Sequence, residues 1–166
     1  FNNGLSYNTA IGYKSLTTAT TGTDNTAVGH ESLKLNTTGG YNTAVGKSAL
    51  QSNTTATGNV AIGYNAANSN TTGVQNTAVG QQSLFTNTTG TNNAAFGMYS
   101  LLNNTTGGGN TAVGLSALQN NTIGSTNSAF GKDALKINTT GSNNNAFGFY
   151  SLLNNTSIIS KKFIHN

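Results

Sequence analysis

The sequence predicts an all-β fold, a parallel β-solenoid of nine 17-residue coils, on a fixed period, a two-residue alternation and a recurring turn. One glycine returns at Gly12, Gly29, Gly46, Gly63, Gly80, Gly97, Gly114, Gly131 and Gly148, each step 17 residues long without insertion or deletion. A period this strict marks stacked supersecondary units rather than a globular core. Before each glycine the chain alternates, as in Asn42-Thr43-Ala44-Val45-Gly46, which fits a short strand with Thr43 and Val45 on one face and Asn42 and Ala44 on the other. After it comes Asn-Thr-Thr-Gly or a close variant, with Asn and Gly supplying the dihedrals of a turn. Helix is disfavoured, because each coil carries glycines, asparagines and β-branched residues in number.

In chain order, residues 1–7 read as an incomplete repeat, 8–157 as the solenoid and 158–166 as a C-terminal tail. Asn opens every coil, Ala stands two later, and Thr stands eight after the glycine in all nine copies. The residue before the glycine is Val, Ile or Phe, and the fourth after it is Leu except for Ala67; both rows are expected in the core. The third after the glycine is always Ser or Ala, which suggests a place with no room for more. At about 4.8 Å per coil the stack makes a rod roughly 43 Å long. The pattern stops after Thr156, and the apolar and basic segment from Ile158 to Asn166 is expected to cap the last coil or to dock on another subunit.

Composition narrows the function classes. Only 34% of residues are apolar and 6% charged, a balance that in an aperiodic chain would suggest disorder. The rows kept in phase through nine coils argue against that. Cysteine is absent, so disulfides and thiolate metal sites are excluded. The positive charge comes from seven lysines without any arginine and without a basic cluster, which speaks against nucleic acid as a partner. No apolar run has the length of a membrane span, so no membrane insertion is expected. The chain opens on Phe1, inside a repeat, and is read as part of a longer or processed product.

Chemistry-bearing residues are few: Asp24, Glu31, Asp133, His30 and His165. His30 and Glu31 are neighbours in variable positions and read as a solvated pair rather than an acid–base couple. The glycines lack the helix and the Lys-Ser/Thr of a phosphate loop, and the Asp ladder of calcium-binding solenoids is missing. No enzyme activity, cofactor or metal is expected. Asn36-Thr37-Thr38 and its equivalents match the N-glycosylation pattern, but acceptors about 4.8 Å apart could not all be occupied.

These repeats resemble the N-T-A-I-G-x-x-A-L-x-x-N-T-T-G repeats of tail-fibre-like surface proteins of phages, bacteria and giant viruses, over residues 8–157. In that group they often precede a self-cleaving intramolecular chaperone domain, which nothing in this chain resembles. The Asn-Thr-Ala-Val-Gly core is also similar to the head repeats of trimeric autotransporter adhesins, left-handed parallel β-rolls with a shorter period, so coil shape and trimerisation are not carried over. The resemblance implies a structural, self-assembling fibre or surface appendage with an adhesive role toward a host-surface ligand, located extracellularly, on a cell surface or on a virion. Ice binding by threonine ladders is the alternative.

The variable positions turn apolar late in the chain, where Met98-Tyr99-Ser100-Leu101-Leu102 is echoed by Phe149-Tyr150-Ser151-Leu152-Leu153. An apolar patch on a soluble rod marks an interface. Met98, Leu102, Leu115, Phe149 and Leu153, with Ile158, Ile159 and Phe163 of the tail, are therefore the expected contacts in a homo-oligomer, a side-by-side trimer or an end-to-end fibre. Far-ultraviolet circular dichroism should show strand with little helix, and a helical spectrum would refute the predicted fold.

Overall fold

The structure, a computed structural model, describes residues 7–156 and the strand 162–164. The strands are β1 (Thr9–Ile11), β2 (Thr26–Val28), β3 (Thr43–Val45), β4 (Val60–Ile62), β5 (Thr77–Val79), β6 (Ala94–Phe96), β7 (Thr111–Val113), β8 (Ser128–Phe130), β9 (Asn145–Phe147) and β10 (Lys162–Ile164). They form one parallel sheet in chain order, and each residue pairs with the one 17 further on, as Ala27 with Ala44 and Val28 with Val45. No helix interrupts the described residues. The predicted parallel solenoid is the fold observed.

The interior is not the one the sequence suggests. In the third coil the fully buried side chains are Asn42, Ala44, Ala49, Leu50 and Asn53, all at 0% exposure. The leucine row and the Ser/Ala row are inside as expected, but the Val/Ile/Phe row is not: Ile11 is 60% exposed, and Ile62, Phe96 and Phe147 are about 40% exposed. The alternation is present with its faces exchanged: alanine and asparagine occupy the inward face. The coil is narrow, and one leucine, two asparagines and two small side chains leave no room for a β-branched or aromatic row.

Outside the three-residue strand the backbone stays bonded along the rod. Left-handed dihedrals arrange this: in the second coil Glu31, Leu33 and Tyr41 have φ of 57°, 48° and 58°. The Glu31 and Tyr41 amides donate back to Tyr13 and Thr23 carbonyls at 2.8 and 3.0 Å, whereas the Leu33 amide donates forward to Ala49 at 3.0 Å. The turns are thereby paired between coils much as the strands are, which leaves few backbone groups unsatisfied.

The recurring glycine is required on two counts. Gly46 has φ of 130°, and a Cβ there would stand 2.5 Å from the Gly63 carbonyl oxygen of the next coil. Gly58 differs: its φ is 69°, the nearest atom to an added Cβ is Gln75 Cγ at 3.7 Å, and other coils place Tyr41, Gln75 or Asn92 at the same point.

The sequence pattern stops after Thr156, but the backbone register does not. β10 pairs with β9 at the same 17-residue offset, Lys162 with Asn145, Phe163 with Ala146 and Ile164 with Phe147. The segment that fits no coil by its text thus supplies a tenth strand. Ile158, Ile159 and residues 1–6 of the incomplete repeat 1–7 lie outside the described residues.

Gly46→Ala is expected to lower unfolding free energy by about 3 kcal/mol or more, since backbone must move to admit the methyl group. Gly58→Asn should change it by less than about 1 kcal/mol, because Asn adopts left-handed dihedrals readily. Equilibrium denaturation of both variants checks the contrast.

Candidate functional site: the outward face of the sheet

Three rows run along the outside of the sheet. The first holds the initial strand residue, mostly threonine, and the second the Val/Ile/Phe residue before the glycine. The third, just after the glycine, is Tyr13, His30, Lys47, Tyr64, Gln81, Met98, Leu115, Lys132 and Phe149. Strand alternation sends the first two rows outward together, while the alanine between them points to the axis. The second row is apolar in every coil and partly solvated throughout. An apolar stripe of about 43 Å therefore lies on one side of the rod.

Its chemistry changes along the rod. Near the amino end the third row is polar and aromatic: His30 stacks on Tyr13 with ring centres 5.2 Å apart, and Lys47 Nζ lies 5.9 Å from the Tyr64 ring. Near the carboxyl end Phe130 and Phe147 stack at 4.9 Å, and Lys132 Nζ lies 5.5 Å from the Phe149 ring. The repeated step brings like rows into contact, so rings in successive coils meet without any special sequence signal.

The residues singled out for an interface fall into two rows. Met98 and Phe149 are exposed, at 39% and 57%, and Leu115 between them is half-buried; all three continue the stripe. Leu102 and Leu153 are half-buried and stand in a different row, beyond the buried Ser/Ala–Leu pair. Phe163 lies in β10, and its side chain, like Ile158 and Ile159, is outside the described set. The stripe itself, led by Phe96 and Phe147, was missed because those residues were assigned to the core.

The few ionisable groups serve pairs rather than a site. Lys34 donates to Glu31 at 2.8 Å, and this hydrogen bond and charge hold the Glu31 carboxyl below its ordinary value. Gln51 Nε2 donates to the other Glu31 oxygen at 2.8 Å. His30 stacks on Tyr13, and its charge adds to that of Lys34 in holding the Glu31 carboxyl low. Lys136 pairs with Asp133 in the same i,i+3 geometry. Among the described residues no three His, Cys, Asp or Glu side chains gather in one place.

The threonine and asparagine ladders are largely engaged in structure. Thr37 Oγ1 donates to the Thr54 carbonyl at 3.0 Å, and the same bond recurs at Thr71, Thr88 and Thr105. The exposed threonines are their neighbours, such as Thr38 and Thr72. Asn36, Asn53, Asn70 and Asn87, the middle of the glycosylation series, are fully buried, with their amide nitrogens bonded inside the coil. A folded coil cannot carry a glycan there.

Comparison with protein-family models, with curated proteins and with solved structures finds no match to this chain.

If the Val/Ile/Phe row faces solvent and the leucine row the axis, two substitutions in one coil should part widely. Val45→Thr is expected to cost less than about 1 kcal/mol, within the usual range for surface changes. Leu50→Ala should cost about 2–5 kcal/mol. Thermal or denaturant unfolding of the two variants decides between this orientation and its reverse.

Proposed function

We propose that the chain is a non-enzymatic structural rod of a fibre or surface appendage, extracellular, on a cell surface or on a virion, built by lateral association with further copies of itself. The observation that carries this reading is the partly exposed apolar row that runs the length of the outward face. A single apolar side chain on a surface needs no explanation, but a continuous exposed apolar face marks an association site. Its rows repeat at the inter-coil spacing, so the surface that matches it rung for rung is one with the same rise, namely another solenoid of this kind. An adhesive role toward a host-surface ligand belongs to the same reading, with Tyr13, Tyr64 and Phe149 as exposed aromatic contacts.

Phe149→Lys together with Met98→Lys should reduce the mass measured by light scattering, because both charges would enter the lateral interface. Leu102→Lys with Leu153→Lys, off the stripe, should leave it unchanged. A monomeric wild type, or an oligomer indifferent to the first pair, would refute lateral assembly.

A further inference from the structure

Two coils differ from the others on the outward face. In the fourth, Val60, Ile62 and Tyr64 make all three outward rows apolar, and in the sixth Ala94, Phe96 and Met98 do the same. The other seven coils carry Thr, Ser or Asn in the first row. Ile62, Tyr64, Phe96 and Met98 are all exposed. Between these coils stands the fifth, with Thr77 and Val79 half-buried and Gln81 exposed. Among the described residues the second and third rows expose large apolar side chains in only two further coils. These are Ile11 and Tyr13 in the first and Phe147 and Phe149 in the ninth. The four coils form a set that maps onto itself when the rod is reversed about the fifth coil, first onto ninth and fourth onto sixth.

We propose that the outward face binds a second copy of this chain running antiparallel, about a two-fold axis that lies between the rods at the level of Val79 and follows the strand direction. The pairing rests on the lateral association proposed above and gives it a direction and a centre. An axis in that direction keeps each row on its own counterpart and reverses the order of the coils. Val60, Ile62 and Tyr64 of either copy then lie on Ala94, Phe96 and Met98 of the other, and Ile11 and Tyr13 lie on Phe147 and Phe149. At the centre Thr77 and Gln81 meet their own copies. A hydroxyl and a carboxamide each carry a donor and an acceptor, so both residues can bond to themselves across the axis. Lys47, in the third coil, meets Leu115 rather than a second lysine. An isologous contact of this kind closes on itself, so this face joins two rods and stops there.

Side-chain size separates this arrangement from the parallel one. A two-fold along the rod axis would set every second-row residue against its own copy at the same level. Phe96, Phe130 and Phe147 would then oppose themselves in the carboxyl half, while Val28, Val45 and Ile62 oppose themselves in the amino half. Packed sheets keep a separation of about 10 Å, and the core of an interface is filled like a protein interior, so a contact thick at one end and thin at the other packs poorly. Reversal removes the taper. Phe147 opposes Ile11, Phe130 opposes Val28 and Phe96 opposes Ile62, each phenylalanine against a smaller side chain.

Spin labels placed off the face report the direction. Thr38, Thr89 and Thr140 are exposed residues of one turn row, in the second, fifth and eighth coils. The chain has no native cysteine, so Thr38→Cys, Thr89→Cys and Thr140→Cys each take a single nitroxide label. Dipolar electron spin resonance on each labelled protein measures the distance between copies. The Thr89 position should give the shortest distance. At Thr38 or Thr140 the two labels are offset by about 29 Å along the rod, six coils at about 4.8 Å each, and the distance should lengthen to match. An equimolar mixture of the Thr38 and Thr140 proteins should restore a short distance close to that of Thr89. Equal distances at all three positions would overturn the antiparallel pairing and leave lateral association standing, since parallel rods keep every label level with its copy. A monomeric mass for the labelled proteins by light scattering would overturn lateral association and this pairing together.

Discussion

Two asparagine amides meeting on one backbone carbonyl hold each coil shut. In the second coil Asn25 Nδ2 and Asn36 Nδ2 both donate to the Gly39 carbonyl, at 2.8 and 2.9 Å, so the start of the coil is tied across the interior to its end. The oxygens of the same amides bond along the rod, Asn25 Oδ1 accepting from the Asn42 backbone and Asn36 Oδ1 from Asn53 Nδ2 at 2.8 Å. A buried amide is stable only when its donors and acceptor are used, and here one side chain brings together closure within a coil and register between coils. Inserting a residue would break both functions at once. The invariance of the 17-residue step follows from this bonding rather than from the apolar rows.

The glycine that closes the turn belongs to the same arrangement. A Cβ on Gly39 would stand 2.4 Å from Asn36 Oδ1 and 2.3 Å from the Ala56 carbonyl oxygen. Among the described residues one coil departs from the rule with Ala56, which is nearly fully buried, and its neighbourhood loosens: the Asn70 to Asn53 amide bond lengthens to 3.2 Å where Asn87 to Asn70 is 2.8 Å. Left-handed non-glycine residues add cost on the other turn, about 1–2 kcal/mol each. They recur because they aim backbone amides along the rod, and each leucine among them also buries its side chain, which contributes about 1.5–3 kcal/mol. Leu33, Leu50, Leu84 and Leu101 thus combine a strained backbone with the largest apolar side chain of the coil.

The period, the strand positions and the parallel fold were legible from spacing and alternation, because both are geometric demands written directly into the text. Which face points inward was not, since alternation divides residues into two sets without saying which is inside. Hydrophobicity favours Val45 over Ala44 for the core, and the width of the coil reverses that choice. A finer signal was present: the row of Ala44 never changes size, while that of Val45 runs from valine to phenylalanine. A closed interior tolerates no such range. The same misassignment hid the outward stripe, and the expected contacts were drawn from variable positions alone. The tail strand was illegible for the opposite reason, since β10 keeps the register through its backbone while its side chains keep none of the pattern.

A coil whose interior is asparagine, alanine and one leucine has little apolar surface to bury, and the consequence reaches the outside of the rod. Bonds between coils act only along the axis, and they leave the flanks of the rod to whatever the outward rows supply. The row before the glycine is apolar in every coil where a monomeric rod would gain solubility from charge, with Phe96, Phe130 and Phe147 in place of lysine or glutamate. The narrow interior excludes these side chains, and within the single chain their recurrence in one file lets rings of successive coils stack, as Phe130 does on Phe147 at 4.9 Å, while leaving their outer faces in solvent. In the lateral association proposed above, a second rod laid alongside would bury the stripe and add the apolar contact that the coil itself cannot hold.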